Sequence, residues 1–224
     1  MPRSQRPDSL HLSAVIPIHN AGAFLADRLT LLSDYLESLK ISYEIIAVDD
    51  GSTDHTAEIL AGLDLPHLAW FSRESNGGKF AAIRDGMHAA RGTCRLFTDA
   101  DIPYELSAIR RAISLVRDEN TAIVVGDRTL SASYTSARRP PLRRLTTRMF
   151  SSCVRLLIGD DLHDTQCGFK AFRGDIADQI FPLLQEQRFA GDVELLAIAR
   201  TCCRGSGGPR PPAPRWRAAA STRR

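Results

Sequence analysis

Apolar positions along this chain fall into two alternating patterns. Short dense runs at Leu12–Ile18, Tyr43–Val48, Leu68–Phe71, Arg95–Thr98 and Thr121–Val125 read as strands. Between them lie stretches with helical spacing. The first is Ala23–Leu39, where Leu25, Leu29, Leu32, Leu36 and Leu39 recur every three or four residues after Phe24. Thr53–Leu63, Gly78–Ala90 and Glu105–Arg117 follow in the same manner. Strand–helix alternation predicts βαβ crossovers, hence an α/β fold with a mainly parallel sheet and helices on both faces. Further on, Arg138–Ile158 reads as a helix bearing Arg143, Arg144, Arg148 and Arg155, and Phe189–Glu194 opens a last helix to about Arg200.

In a parallel sheet, ligands bind beyond the carboxyl ends of the strands. The predicted ends carry unusual chemistry: Pro17 on the first strand, Asp49-Asp50-Gly51-Ser52 after the second, and Thr98-Asp99-Ala100-Asp101 after the fourth. Positions i and i+2 of a strand share a side, so Asp99 and Asp101 can converge on a hard divalent cation that also holds phosphate. An Asp-rich turn capping the next helix fits the same letters. Asp49 and Asp50 can accept hydrogen bonds from a base and a ribose; a helix cap at Ser52 or Thr53 is compatible with that. Asn76-Gly77-Gly78-Lys79 puts a turn and a cation before a helix, suited to phosphate or ribose.

Composition narrows the class without naming a reaction. The chain has 224 residues, 43% hydrophobic and 25% charged, typical of an ordinary globular domain. No apolar run reaches transmembrane length, and the polar start, Met1–Leu10, is not a secretory signal. Five unpatterned cysteines fit reduced thiols and a cytoplasmic setting. The net charge of +3 is uneven: residues 204–224 hold six arginines and no acid, leaving 23 basic against 26 acidic groups before them. The basic balance therefore belongs to the tail, and nucleic acid is not an expected partner.

Four motifs, Val15-Ile16-Pro17-Ile18-His19-Asn20, Val48–Asp54, Asn76–Lys79 and Thr98–Asp101, occur in an order that resembles glycosyltransferase family 2, inverting enzymes of GT-A fold. Gly126-Asp127-Arg128 and Asp164–Lys170 resemble its polyprenyl-phosphate sugar synthase branch, above all the dolichyl-phosphate glucose synthases. The resemblance spans about Leu12 to Arg200. It implies that Pro17, Asn20, Asp49, Asp50, Asn76 and Lys79 contact a nucleotide sugar, UDP-glucose or GDP-mannose. Asp99 and Asp101 would hold Mg²⁺ or Mn²⁺ against the diphosphate, with Asp101 the steadier ligand. Related enzymes carry a small residue where Phe80 stands.

The acceptor is a question of pKa. A sugar hydroxyl needs a general base, whereas a phosphate monoester is already a nucleophilic dianion near neutrality and needs only cations. Arg128, Arg143, Arg144, Arg148 and Lys170 suit a phosphate acceptor, although helical arginines also fit a solvated face. Asp192 and Glu194 are the base candidates, and Asp192 also suits a helix cap. A polyprenyl phosphate implies peripheral attachment at the inner face of a membrane, with Arg138–Leu157 near the anionic surface.

Three segments are therefore expected: a polar start (1–10), a glycosyltransferase domain (11–203), and a Gly/Pro/Arg-rich tail (204–224) that is disordered or altered in reading frame. The tail also leaves open a remnant that binds nucleotide sugar without turnover, and a hydroxyl acceptor is a further alternative. A nucleotidyltransferase would carry a Gly-rich basic loop after the first strand, which His19-Asn20-Ala21-Gly22 is not.

Overall fold

The computed structural model describes residues 10–118, 121–127, 167–188 and 190–202, and the backbone of 216–220. The elements run β1 (Leu12–Ile18), α1 (Leu25–Ser38), β2 (Tyr43–Asp49), α2 (Thr56–Gly62), β3 (Leu68–Ser72), α3 (Lys79–Ala89), β4 (Cys94–Phe97), α4 (Ser107–Arg117) and β5 (Ile123–Asp127). Then come β6 (Lys170–Arg173), α5 (Gly174–Ile180), a 3₁₀ turn at Phe181–Leu183, α6 (Gly191–Cys202) and β7 (Trp216–Ala220). The seven strands lie in the order β3-β2-β1-β4-β6-β5-β7. β6 runs antiparallel to both β4 and β5, and the other described pairs are parallel.

Strand alternation feeds two separate cores. On β1, Leu12, Ala14, Ile16 and Ile18 face α1, α2 and α4, while Val15 faces α3 on the other side. The second core gathers Phe80, Ile83 and Met87 of α3 with Ile176 and Ile180 of α5 and Leu195 and Leu196 of α6. Burial on both faces is why these strands read as continuous apolar runs. Pro17 is tolerated in a central strand because the β4 pairing ends at Val15, two residues earlier.

Two strands were not legible in advance. β6 is four residues long and begins and ends on a cation, Lys170 and Arg173, so it matches neither apolar pattern. β7 falls in the tail expected to lie outside the fold; its backbone pairs with β5 from Ile123↔Trp216 to Asp127↔Ala220. An edge strand is held by main-chain hydrogen bonds, which leave little trace in side-chain periodicity. The helix expected at Arg138–Ile158 lies outside the described residues.

Candidate active site

The carboxyl ends of β1, β2 and β4 meet at one end of the sheet, and the acids expected there do different jobs. Asp49, 2% exposed, accepts the Ser52 amide at 3.0 Å and the Ser52 hydroxyl at 2.5 Å on Oδ1, and the Ser72 hydroxyl at 2.9 Å on Oδ2. It ties the ends of β2 and β3 to the intervening turn. Asp50 accepts the Gly77 amide at 2.9 Å and the Gly78 amide at 2.7 Å, and Arg73 Nε lies 3.0 Å from its Oδ1. Arg73 also pairs with Asp85.

The amides before α3, read from sequence as a phosphate or ribose cradle, are thus occupied by the chain's own carboxylate. Two residues further on, Phe80 N is taken by the Gln187 carbonyl at 2.9 Å. Phe80 itself is buried, packing against Gly191, whose missing side chain makes room for the ring. That accommodates the large residue next to Lys79.

His19 and Asn20 extend the same rim. Asn20 Oδ1 accepts the Thr53 amide at 2.8 Å, and the Asn20 amide donates to Ser52 Oγ at 2.9 Å. His19 Nε2 lies 3.0 Å from Asn76 Nδ2, and its Nδ1 lies 3.1 Å from the Asp50 carbonyl. Because an amide nitrogen only donates, Nε2 accepts and Nδ1 carries the proton. His19, Asn20 and Asn76 are all exposed on this rim, open to a ligand.

Asp99 and Asp101 lie just past β4, on a turn rather than on the strand itself: Ile102 N donates to the Asp99 carbonyl at 3.0 Å. Asp99 pairs with Lys79 across the cleft and packs on Gly168. Asp101 is exposed and makes no hydrogen bond or ion pair among the described residues. Two carboxylates at a solvent edge beside a cation fit a hard divalent ion that shares its shell with phosphate and water. No cluster of three or more metal-binding side chains exists among the described residues.

Lys170 and Asp192 turn out to be partners. Lys170 is fully buried, pairs with Asp192 at the start of α6, donates to the Cys167 carbonyl at 2.9 Å, and lies 5.6 Å above the Phe97 ring. It is opposite Phe97 in the sheet, two residues before Asp99. The pair therefore braces the acid turn from behind. Glu194 caps the Gln185 and Glu186 amides, holding the segment that plugs α3. Arg128, Arg143, Arg144, Arg148 and Asp164–Gln166 lie outside the described residues.

Sequence reasoning missed Arg73, Ser72 and Tyr104. The first two come close only through the β2–β3 pairing, and an aromatic three residues past an acid pair carries no motif of its own.

Residues 13–181 match the sequence profile of Glycosyl transferase family 2. The chain belongs to that family. It is 33% identical over 206 residues to a dolichyl-phosphate beta-glucosyltransferase of Dictyostelium discoideum, covering 86% of this chain and 63% of the relative. Against the Homo sapiens protein of that name it is 32% identical over 205 residues, covering 84% and 63%. The chain thus spans less than two thirds of the length of these relatives.

Among solved structures, glucosyl-3-phosphoglycerate synthase of Mycobacterium tuberculosis with UDP superposes with a TM-score of 0.66 at 19% identity, covering 96% of this chain and 71% of that one. A Pyrobaculum calidifontis mannosyltransferase in complex with GDP-mannose and Mn²⁺ gives 0.60 at 15%, covering 97% and 57%. The fold is the GT-A glycosyltransferase fold.

Proposed function

We propose that this chain transfers glucose from UDP-glucose to a polyprenyl phosphate such as dolichyl phosphate, with inversion at the sugar carbon. The likeness to dolichyl-phosphate beta-glucosyltransferases across more than four fifths of the chain carries the reading. UDP is chosen over GDP on the resemblance of Asp164–Lys170 to the glucose synthase branch.

The geometry supports a phosphate acceptor. Asp192, the candidate general base, is buried with its Oδ1 engaged by the fully buried Lys170 ammonium, so it is not presented to an acceptor hydroxyl. A phosphate dianion needs no base: its oxygen attacks the anomeric carbon as the bond to the diphosphate breaks. Asp99 and Asp101 would hold Mg²⁺ or Mn²⁺, which offsets the charge developing on the departing diphosphate. Lys79 supplies a second positive charge at the same edge, and His19, Asn20 and Asn76 present polar groups to the nucleoside.

Among the described residues no helix is long and apolar enough to cross a membrane. A peripheral contact at the cytoplasmic face is the corresponding proposal for reaching a lipid substrate.

The test is incubation with Mn²⁺, a polyprenyl phosphate and radiolabelled UDP-glucose or GDP-mannose in parallel, followed by counting the organic phase. Label from UDP-glucose alone is expected. Label from GDP-mannose alone would reassign the donor, and none from either would refute lipid-phosphate transfer by this chain.

A further inference from the structure

The acid turn holds a polar atom without a partner. Tyr104 is 8% exposed, its ring packs edge-on against Phe169 with centroids 4.8 Å apart, and its hydroxyl is buried and unbonded. The Thr98 hydroxyl lies nearby but out of hydrogen-bonding geometry. Buried hydroxyls are nearly always satisfied, and one left alone costs stability.

A second irregularity sits two residues earlier. Ile102 has φ +44°, a left-handed backbone that a β-branched residue adopts only under constraint, and its side chain is 6% exposed. Its amide closes the turn onto the Asp99 carbonyl. Strain in the turn and an unmet donor beneath it mark a segment whose best hydrogen-bonding arrangement is a different one. Burial, opposed by the Thr98 side chain and aided by the Asp99 charge, raises the phenol's pKa above its ordinary value. The hydroxyl can only gain by finding an acceptor.

We propose that Tyr104 is a positioning residue whose hydroxyl bonds a carboxylate of the Asp99–Asp101 turn when that turn closes on a divalent cation and a nucleoside diphosphate. In the free protein the Asp99 carboxylate is taken up by Lys79, and Asp101 points to solvent. With the ion bound, Asp99 and Asp101 would both hold it, and a carboxylate oxygen of the turn would become available to the phenol. One hydrogen bond then exists in the loaded state that the free state lacks. The inference rests on the donor-site reading above.

The test is Tyr104→Phe, which removes only the hydroxyl. Melting temperature is measured on the free proteins, and affinity by calorimetry with Mn²⁺ plus UDP and, separately, Mn²⁺ plus GDP. The free variant is expected to melt no lower than wild type. Its affinity for the metal–nucleotide pair should fall roughly three- to tenfold, the span of one net hydrogen bond. A purely structural tyrosine would not separate these two readouts. Unchanged affinity overturns the proposal, as does a lower melting temperature, which would mean the hydroxyl was already bonded. If wild type binds neither nucleotide, the donor-site reading falls and takes this inference with it. If wild type binds and the variant binds equally well, this inference falls alone.

Discussion

Gly168 lies directly against the Asp99 carboxylate: a Cβ there would be 2.9 Å from Oδ1 and closer still to Oδ2. The acid's direction is therefore set by a residue on another segment that has no side chain. Gly168→Ala is expected to turn Asp99 aside and lower sugar transfer at least about tenfold, a factor equal to 1.4 kcal/mol of transition-state binding. Far-ultraviolet circular dichroism should be unchanged. Full activity in the alanine variant would show that Asp99 needs no fixed direction.

Asp101 is exposed and makes no hydrogen bond or ion pair among the described residues that its loss would break. Asp101→Ala should leave the unfolding free energy within about 0.5 kcal/mol of wild type, as for ordinary surface changes, while abolishing transfer. Activity assayed beside urea unfolding separates the two. A variant that transfers sugar normally would remove Asp101 from the metal site.

Lys79 and a divalent cation compete for Asp99. Lys79→Met should tighten Mn²⁺ binding to the nucleotide-free protein by about two- to fivefold, in line with an exposed pair worth under ~1 kcal/mol. Electron paramagnetic resonance of unbound Mn²⁺ reads this directly. Weaker binding would mean that Lys79 organises Asp99 instead of blocking it.

Removing one member of the buried Lys170–Asp192 pair strands the other. Lys170→Met or Asp192→Leu should each destabilise by about 3–5 kcal/mol, with the Lys170→Met/Asp192→Leu double variant recovering much of that loss. Denaturant unfolding of the three proteins tests it. Additive losses would show that the two groups act independently.

Burial pushes the Cys94 thiol from its ordinary 9.0 up to about 12. Iodoacetamide at pH 8 should leave Cys94 unmodified in the folded protein and modify it in urea, since only the thiolate reacts. The sign of the linkage follows: above pH 9 the unfolded chain releases this proton first, so the contribution to stability falls as pH rises toward 12. Peptide mass mapping reports the modification.

The alternation of apolar runs was enough to place β1 with its observed bounds and to find β2 to β5 within two residues. Helices whose faces repeat every three or four residues, such as Leu25 to Leu36 of α1, were equally plain. What escaped was long-range. Asp49 and Asp50 carry a ligand-binding pattern in the sequence, and their oxygens also take hydrogen bonds from Ser52, Ser72, Gly77 and Gly78 that the pattern does not reveal. Those donors are brought near by β2–β3 pairing and by the loop into α3, which no local pattern encodes. Lys170 and Asp192 were likewise singled out separately, because nothing in their spacing says that antiparallel β6 aims one at the other.

The antiparallel course of β6 brings two chain junctions to one place. Gly126 N bonds the Phe169 carbonyl at 2.9 Å, so the chain departs after Asp127 and returns at Cys167 through neighbouring strands. Both junctions sit at the end of the sheet where Asp99 lies. Whatever leaves the sheet after Asp127 and rejoins it at Cys167 is therefore anchored at both ends beside the acid turn, on one continuous β5–β6 ladder.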